Sequence, residues 1–337
     1  MKTQLYTDVS VFQDLKSEWN SLLQNSVTNT LFLTWEWQSV WWQYLGTGQL
    51  CLITVREDDG TLIGIAPLFQ ETWNDGTTKS VSLIGCVDVS DYLDFIIARG
   101  CEERVYSAMI DMISSAEFPA WEGGLHLCTV PEASPTNMQF KAMVEAKGWK
   151  TDWHLHDVAP VIDLPETWDG YLETLEKKQR HEVRRKLRRV EEIDNKWYSI
   201  DAASSIDEAI RDFIELHKKS RPDKHVFMAP HIQEFFVNMA QQLHPHGWLQ
   251  LDFLEIDGVR AATIMNFVYH NDVLVYNSGY DPIKYGPLSP GIVLFSRSIQ
   301  DAISDKRRRF DFLRGNEEYK YRFGAHDTKI YELHITR

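Results

Sequence analysis

Two short hairpins of the same design constrain this chain more than any other feature. REDDGTLIGIAPL, residues 56–68, and EIDGVRAATIMNF, residues 255–267, each run one apolar strand into an Asp-Gly turn and leave along a second. Asp-Gly tolerates the positive φ of a tight hairpin turn, so both read as antiparallel pairs. The elements around them recur in the same order. In the first half Phe12, Leu15, Trp19 and Leu22 fall at helical spacing, and a second helix is expected over residues 35–45. Strands over 50–56 and 62–69 follow, then a turn at Asn74-Asp75-Gly76, a strand over 80–85, a helix over 102–114, a strand over 125–130 and a helix over 138–147. In the second half Leu172, Leu175, Val183, Leu187 and Val190 mark one helix. Ile210, Phe213, Ile214 and His217 mark another, and Phe235, Phe236, Met239 and Leu243 a third. Strands over 249–256, 259–269 and 273–278 come next, then a helix over 290–304 and a strand over 310–313.

Duplication of one α+β unit accounts for this order. At 337 residues the chain exceeds what a single core usually serves. The junction is expected near residues 160–167, giving domains 1–163 and 164–337, each a mixed, mostly antiparallel sheet flanked by helices. No apolar run is long enough to span a bilayer, and the opening MKTQLYTDVSVFQDLK has no signal-peptide core, so a cytoplasmic protein is expected. Cys51, Cys86, Cys101 and Cys128 show no metal-ligand spacing and are read as reduced, mostly buried thiols, with no metal site.

Charge divides the halves. Residues 1–166 hold nine Lys and Arg against 23 Asp and Glu, whereas residues 167–337 hold 26 of each. Only the second half has clustered cations that suit a polyanion. Eight of them lie in EKKQRHEVRRKLRRVEE, residues 176–192, fanned over the outer face of a helix. Such a run is either a solvated face or a phosphate-contacting patch. It carries no interleaved aromatics, so specific nucleic-acid binding is not expected.

The segment GYDPIKYGPLSPGIVLFSRSIQDAI leads from a strand into a helix. Ser289 suits an N-cap, Pro290 the first turn, and Gly291 leaves the backbone approachable. Free N–H groups there form an anion site, or the tripeptide merely starts a surface helix. In RRRFDFLRGNEEYKYRFG, Asp311 is a carboxylate inside an apolar strand, and Arg314 or Lys320 is available as its partner. That pairing is either structural or part of a site. His217 sits on an apolar helix face, where a core histidine and a general base both remain open. TWEWQSVWW packs four Trp between Trp35 and Trp42, a core pattern that includes Trp37. SDYLDF offers Asp91, Tyr92 and Asp94 where the first half should repeat the second half's anion turn. No nucleophile elbow, GxGxxG or Walker pattern is present.

FLTWEWQSVWW with the later DYLDF, then FIELHKKSR, then SGYDP…LSPGIVL…FDFLRGNEEYK together resemble the GNAT superfamily branch of CelD-like (BioF2-like) acetyltransferases, related to Fem-type peptidyltransferases. The resemblance implies two tandem GNAT-like folds, the first degenerate and on the acceptor side, the second binding the acyl donor. It implies an N-acyltransferase moving an acyl group from acyl-CoA, acetyl or longer, to an amine of a small molecule, lipid or cell-envelope precursor. Peripheral membrane contact is compatible with a lipid acceptor. The alternatives are a Fem-type transferase using aminoacyl-tRNA and a non-catalytic binding protein of polysaccharide synthesis. The donor would lie on Ser278, Gly279, Leu288, Ser289, Pro290, Gly291, Ile292 and Val293. Asp311, Glu317, Lys320 and Arg314 would carry catalysis. Trp37, Asp91, Tyr92, Asp94, His217 and Tyr280 would face the acceptor. The usual Gln/Arg-x-x-Gly-x-Gly/Ala turn is absent, and Ser289-Pro290-Gly291 stands in its place.

Overall fold

In the computed structural model, residues 1–72, 76–86, 89–201 and 205–337 are described. Asn74 and Asp75 of the expected third turn lie outside them. The chain forms two compact units, residues 1–157 with 329–337, and residues 158–328. A single cut near residue 163 therefore misses that the last nine residues belong to the first unit.

The first unit begins with a strand, Lys2–Tyr6, that pairs antiparallel with Leu52–Arg56; the latter pairs with Leu62–Ala66, which ends on Ile96–Ile97. The expected strand over 62–69 divides at Pro67, and Leu68–Thr72 joins a second sheet with Gln49–Leu50 and Lys79–Leu83. Lys79–Leu83 runs parallel to Leu125–Pro131, which pairs antiparallel with the C-terminal strand His326–Thr336. Helices Val11–Gln24, Trp35–Leu45, Glu102–Ser114 and Gln139–Ala146 bury Trp19, Trp37, Trp41, Tyr106 and Phe140 against these sheets.

Cys86 and Cys128 form a disulfide across a Cα–Cα distance of 6.0 Å, contrary to the reading of all four cysteines as reduced thiols. Their separation of 42 residues hid the pairing. The strand Leu125–Pro131 brings Cys128 to the turn at Cys86, and Leu93 N–H donates to Thr129 O a few residues on. Cys51 and Cys101 are free, and burial pushes the Cys51 thiol up to about 12.

The second unit is built on the antiparallel run Asn195–Ser199, Leu249–Ile256, Val259–Tyr269 and Asp272–Tyr280. Next to it, Arg309–Asp311 pairs parallel with Asp272–Tyr280 and antiparallel with residues 161–163. Alternation sorts the two faces. Ala262, Ile264, Val273 and Val275 pack with Val183, Leu187 and Val190 of the basic helix Lys177–Glu191 and with Val293, Leu294 and Ile299 of the helix Pro290–Ser304. On the other face Phe267 meets Tyr276, and Tyr276 meets Phe236 of the helix Pro230–Leu243, which stacks on Phe213 of the helix Ile206–Ser220. The helix expected through Leu172–Val190 breaks at Leu175, whose extended backbone separates Trp168–Thr174 from Lys177–Glu191.

Candidate active site

Two neighbouring parallel strands part in the second unit. Asp272–Tyr280 and Arg309–Asp311 share three register pairs, Asp272 with Arg309, Val273 with Phe310 and Leu274 with Asp311. Beyond Leu274 the first strand stays with Val259–Tyr269 as far as Tyr280, while the second turns away. Phe312 N–H donates to Pro160 O, Leu313 adopts a left-handed φ of 57°, and Gly315 N–H reaches Val158 O. A β-bulge interrupts the register between Met265 and Asn266, with Tyr276 as the extra residue on the opposite strand. Strands that part give up ladder hydrogen bonds, so the fork at Leu274 and Asp311 is held from both sides.

Asp311 sits in the fork, 6 % exposed, and accepts a hydrogen bond from Leu313 N–H at 2.7 Å. Lys320 is 2 % exposed; its ammonium donates to the carbonyls of Leu313, Arg314 and Gly315 at 3.1, 2.8 and 2.9 Å and meets Glu317 at 2.9 Å. One lysine thus ties the whole turn after the fork, and Glu317, more than half exposed, is the carboxylate in contact with its charge. Arg314 is half-buried at the start of that turn.

Pro290–Ser304 begins at the corner next to the fork. Ser289 lies in the left-handed region, φ 55° and ψ 53°, and its hydroxyl accepts from Lys186 Nζ at 2.5 Å. Lys186 projects from the basic helix, is 9 % exposed and also approaches Glu182 at 3.6 Å. No atom lies within 4 Å of the point where a Cβ on Gly291 would stand, so the first turn is uncovered. A cavity of about 360 Å³ adjoins this turn, lined by Ile292 from the helix, Lys178 and Gln179 from the basic helix, and Tyr319 and Arg322 from the short helix Glu318–Arg322. Leu288, Pro290, Ile292 and Val293 share the corner, although Pro290 and Val293 are buried in the core.

On the other side of the forked strand the helix Ile206–Ser220 lies almost in contact with the backbone. A Cβ on Gly279 would stand 2.3 Å from His217 N and 2.5 Å from Leu216 C, so Gly279 is where the helix comes closest. His217 is 1 % exposed, shares a hydrogen bond with Asn277 Oδ1 through Nε2 at 3.0 Å, and has no partner at Nδ1. Burial, then the charge of Lys224, holds its imidazole down to about 4, so it is neutral at physiological pH. Lys224 comes from a six-residue helix, Pro222–Phe227, and donates to Ser278 O at 2.5 Å. Burial, then the neighbouring Arg221, pulls its ammonium down to about 8, with Asp223 and Glu317 acting against them. Tyr280 ends the strand, half-buried.

The acceptor-side residues of the first unit lie mostly inside it. Trp37 is 0 % exposed and donates Nε1–H to Ser90 Oγ at 3.0 Å. Asp94 is 2 % exposed, accepts hydroxyl hydrogen bonds from Thr28, Ser134 and Thr136, and burial raises its pKa. Tyr92 is buried and its carbonyl accepts from Thr30; Asp91 is half-buried. Trp37 and Asp94 expose almost no surface for a substrate and serve as core and loop anchors.

Lys186, Lys224 and Asn277 stand at the fork and its corner, and the sequence did not single them out. Lys186 was one of eight cations in a run, and its burial was the distinguishing property. Lys224 follows Pro222-Asp223, a helix-start signal that marks its short helix.

The model of the acetyltransferase (GNAT) domain family matches residues 177–321, which span the basic helix, the fork and the turn after it. Residues 177–321, the greater part of the second unit, are thus matched as a GNAT domain. No curated protein matches its sequence. Among solved structures, FemX shares 12 % identity over 99 % of this chain and 97 % of its own, with a TM-score of 0.68. A protein of unknown function from Bacteroides thetaiotaomicron VPI-5482 shares 12 % identity over 99 % and 100 %, with a TM-score of 0.60. L-PGS from Bacillus licheniformis shares 11 % over 94 % and 91 %, with a TM-score of 0.58. At such identities the likeness is one of fold. Among the described residues no helix is long and apolar enough to cross a membrane, and no group of His, Cys, Asp and Glu is arranged to hold a metal ion.

Proposed function

We propose that this chain is a GNAT-type N-acyltransferase, with an acyl thioester lying in the fork of the second unit and its phosphates at the corner of Ser289 and Gly291. One observation carries the reading: the parallel strands part after Leu274 and Asp311, directly beside an uncovered helix N-terminus. That turn lacks the usual GNAT arginine or glutamine, and Lys186, held against Ser289, brings the positive charge from another helix. Lys178 and Arg322 add cations around the adjoining cavity, where Glu182 and Glu318 add carboxylates and Arg322 pairs with Glu318 at 2.7 Å. Ile292 and Val293 N–H donate to Ser289 O, so the Gly291 N–H, the helix dipole and the fixed ammonium charges are what would favour a pyrophosphate.

The chemistry follows from positioning. An acceptor amine attacks the acyl carbonyl carbon, and a backbone N–H of Asp272–Tyr280, turned out of register at the bulge, stabilises the developing oxyanion. Asp311 and Glu317 flank the fork as carboxylates; Lys320, through the carbonyls of Leu313, Arg314 and Gly315, holds the turn that carries Glu317. Acyl-CoA is the donor we favour, and a small-molecule or lipid amine is the acceptor class. The donor side is thus assigned to the second unit, residues 158–328.

A second reading, aminoacyl transfer from tRNA, is favoured by the outer face of the basic helix. Lys177, Lys178, Arg180, Arg184 and Arg189 make no ion pair there among the described residues, whereas Arg185 is spoken for by Glu182.

Thermal unfolding with acetyl-CoA and longer acyl-CoAs separates the two. A ligand at a hundredfold excess over its Kd stabilises the folded state by about 2.7 kcal/mol, a shift of several degrees. Gly291→Phe, which fills the uncovered turn, is expected to abolish that shift. A wild-type protein that no acyl-CoA stabilises, yet which binds tRNA in a salt-sensitive complex, would support the second reading.

A further inference from the structure

The amine that enters the fork must lose a proton before it can attack, and the group best placed to take it is not one of the carboxylates. We propose that Lys224 is the proton acceptor for the incoming amine; this rests on the transferase reading given above.

The geometry comes from one short helix. Pro222–Phe227 carries Lys224 back over the sheet, so that its Nζ meets Ser278 O at 2.5 Å. Ser278 is four residues beyond Leu274, the last residue of its strand that still pairs with the neighbour. The ammonium therefore lies along the stretch where the strand has lost its parallel partner, on the face that also carries His217 and Asn277.

Four ionisable groups set its field. His217, from the helix Ile206–Ser220, is neutral. Arg221 and Asp223, on its own element, hold each other at 2.9 Å and largely cancel. Glu317 faces it from the turn after the fork, but shares its charge with Lys320 at 2.9 Å. What remains is burial, which favours the neutral amine and brings the group to about 8, within reach of physiological pH. The carboxylates are already engaged. Asp311 is turned to Leu313 N–H, and Glu317 to the Lys320 ammonium.

The step balances as follows. The acceptor arrives as an alkylammonium and gives one proton to the lone pair of the neutral Lys224 amine. The freed amine forms the C–N bond with the acyl carbon. The C–S bond then breaks with its electron pair on sulfur, and the nitrogen's second proton goes to that thiolate. Lys224 returns its proton to water.

Two measurements on the full chain test this. In the first, lysines are trace-labelled with acetic anhydride across a pH series and quantified by mass spectrometry. Lys224 is expected to become reactive around pH 8, about two pH units before the surface lysines. Labelling in step with the surface lysines overturns the proposal. The second follows CoA release from acetyl-CoA with a panel of alkylamines and, separately, with hydroxylamine, a nucleophile already neutral at pH 7. Lys224→Met and Lys224→Arg are both expected to cut the alkylamine rate by roughly a hundredfold or more while sparing hydroxylamine, since a guanidinium cannot accept a proton. Equal loss with both nucleophiles, or a Lys224→Arg enzyme with the wild-type pH profile, overturns it. Acyl-CoA stabilisation measured on the same variants keeps the two ideas apart. If wild type binds no acyl-CoA, the donor reading fails, and the labelling profile alone decides whether Lys224 has basic character.

Discussion

The residues that decide this structure are buried polar ones, and their partners determine what each can do. Asp311 was conspicuous in the sequence as a charge in an apolar strand, and it is indeed buried at the fork. The partner of Lys320 was harder to read, because three of its four contacts are backbone carbonyls of the turn it closes. Backbone acceptors leave no pattern in a sequence. Asp252 illustrates the same blindness: it is 0 % exposed, with Ser199, Gln250 and Asn266 donating to it. Burial outweighs those donors and raises its pKa to about 7, with Asp301 adding to the rise. The native state therefore holds this proton more tightly than the unfolded chain, whose value is near 3.8. Stability from Asp252 is present in acid and is lost as pH rises from about 4 towards 7, by at most about 4 kcal/mol. Urea unfolding of wild type and Asp252→Asn between pH 4.5 and 7.5 reads this directly. The stability difference between the two proteins is expected to move in favour of the Asn variant as pH rises, and a constant difference refutes the assignment.

Elements were legible where apolar periodicity and turn chemistry agreed, and lost where a strand is solvated. Both Asp-Gly hairpins and the helix Pro290–Ser304 carry their own signals. The strand Lys150–Asp163 does not, because most of its residues between 150 and 157 are exposed and its His and Asp alternate with Trp and Leu that are themselves solvated. The closing strand His326–Thr336 mixes polar and apolar residues in the same way. Gly279 shows how an element contact can pass for a ligand contact. In sequence it stands in a run resembling a donor loop; in the fold it lets the helix Ile206–Ser220 lie directly on the strand. A methyl there would meet backbone atoms at 2.3–2.5 Å, which no rotamer change relieves. Gly279→Ala is therefore expected to cost roughly 1–3 kcal/mol in chemical denaturation, by lifting the helix that carries His217. A neutral substitution would mean that the helix can shift freely.

At the scale of the whole molecule the sequence conveyed duplication but not the way the chain is shared out. Two hairpins in matching positions imply two units, and two compact units are present. What the order of elements conceals is that residues 329–337 leave the second unit and complete the first. Ile330 pairs with Pro131, Leu333 with Leu127 and Ile335 with Leu125, and all three aliphatic side chains are fully buried. His334 stacks on His126 and lies over Gly124, where a Cβ would come within 2.1 Å of its ring. Burying an aliphatic side chain of this size is worth about 1.5–3 kcal/mol, so three of them, with the ladder, make up a large part of one unit's net stability. Deleting residues 329–337 is thus expected to unfold the first unit although every residue removed lies at the far end of the chain. Hydrogen exchange gives the reading: protection should vanish in Leu125–Pro131 and Lys79–Leu83 while Leu249–Ile256 and Val259–Tyr269 keep theirs. If the truncated protein keeps protection in Leu125–Pro131, the tail is an ornament to that sheet rather than a member of it, and the first unit folds on residues 1–157 alone.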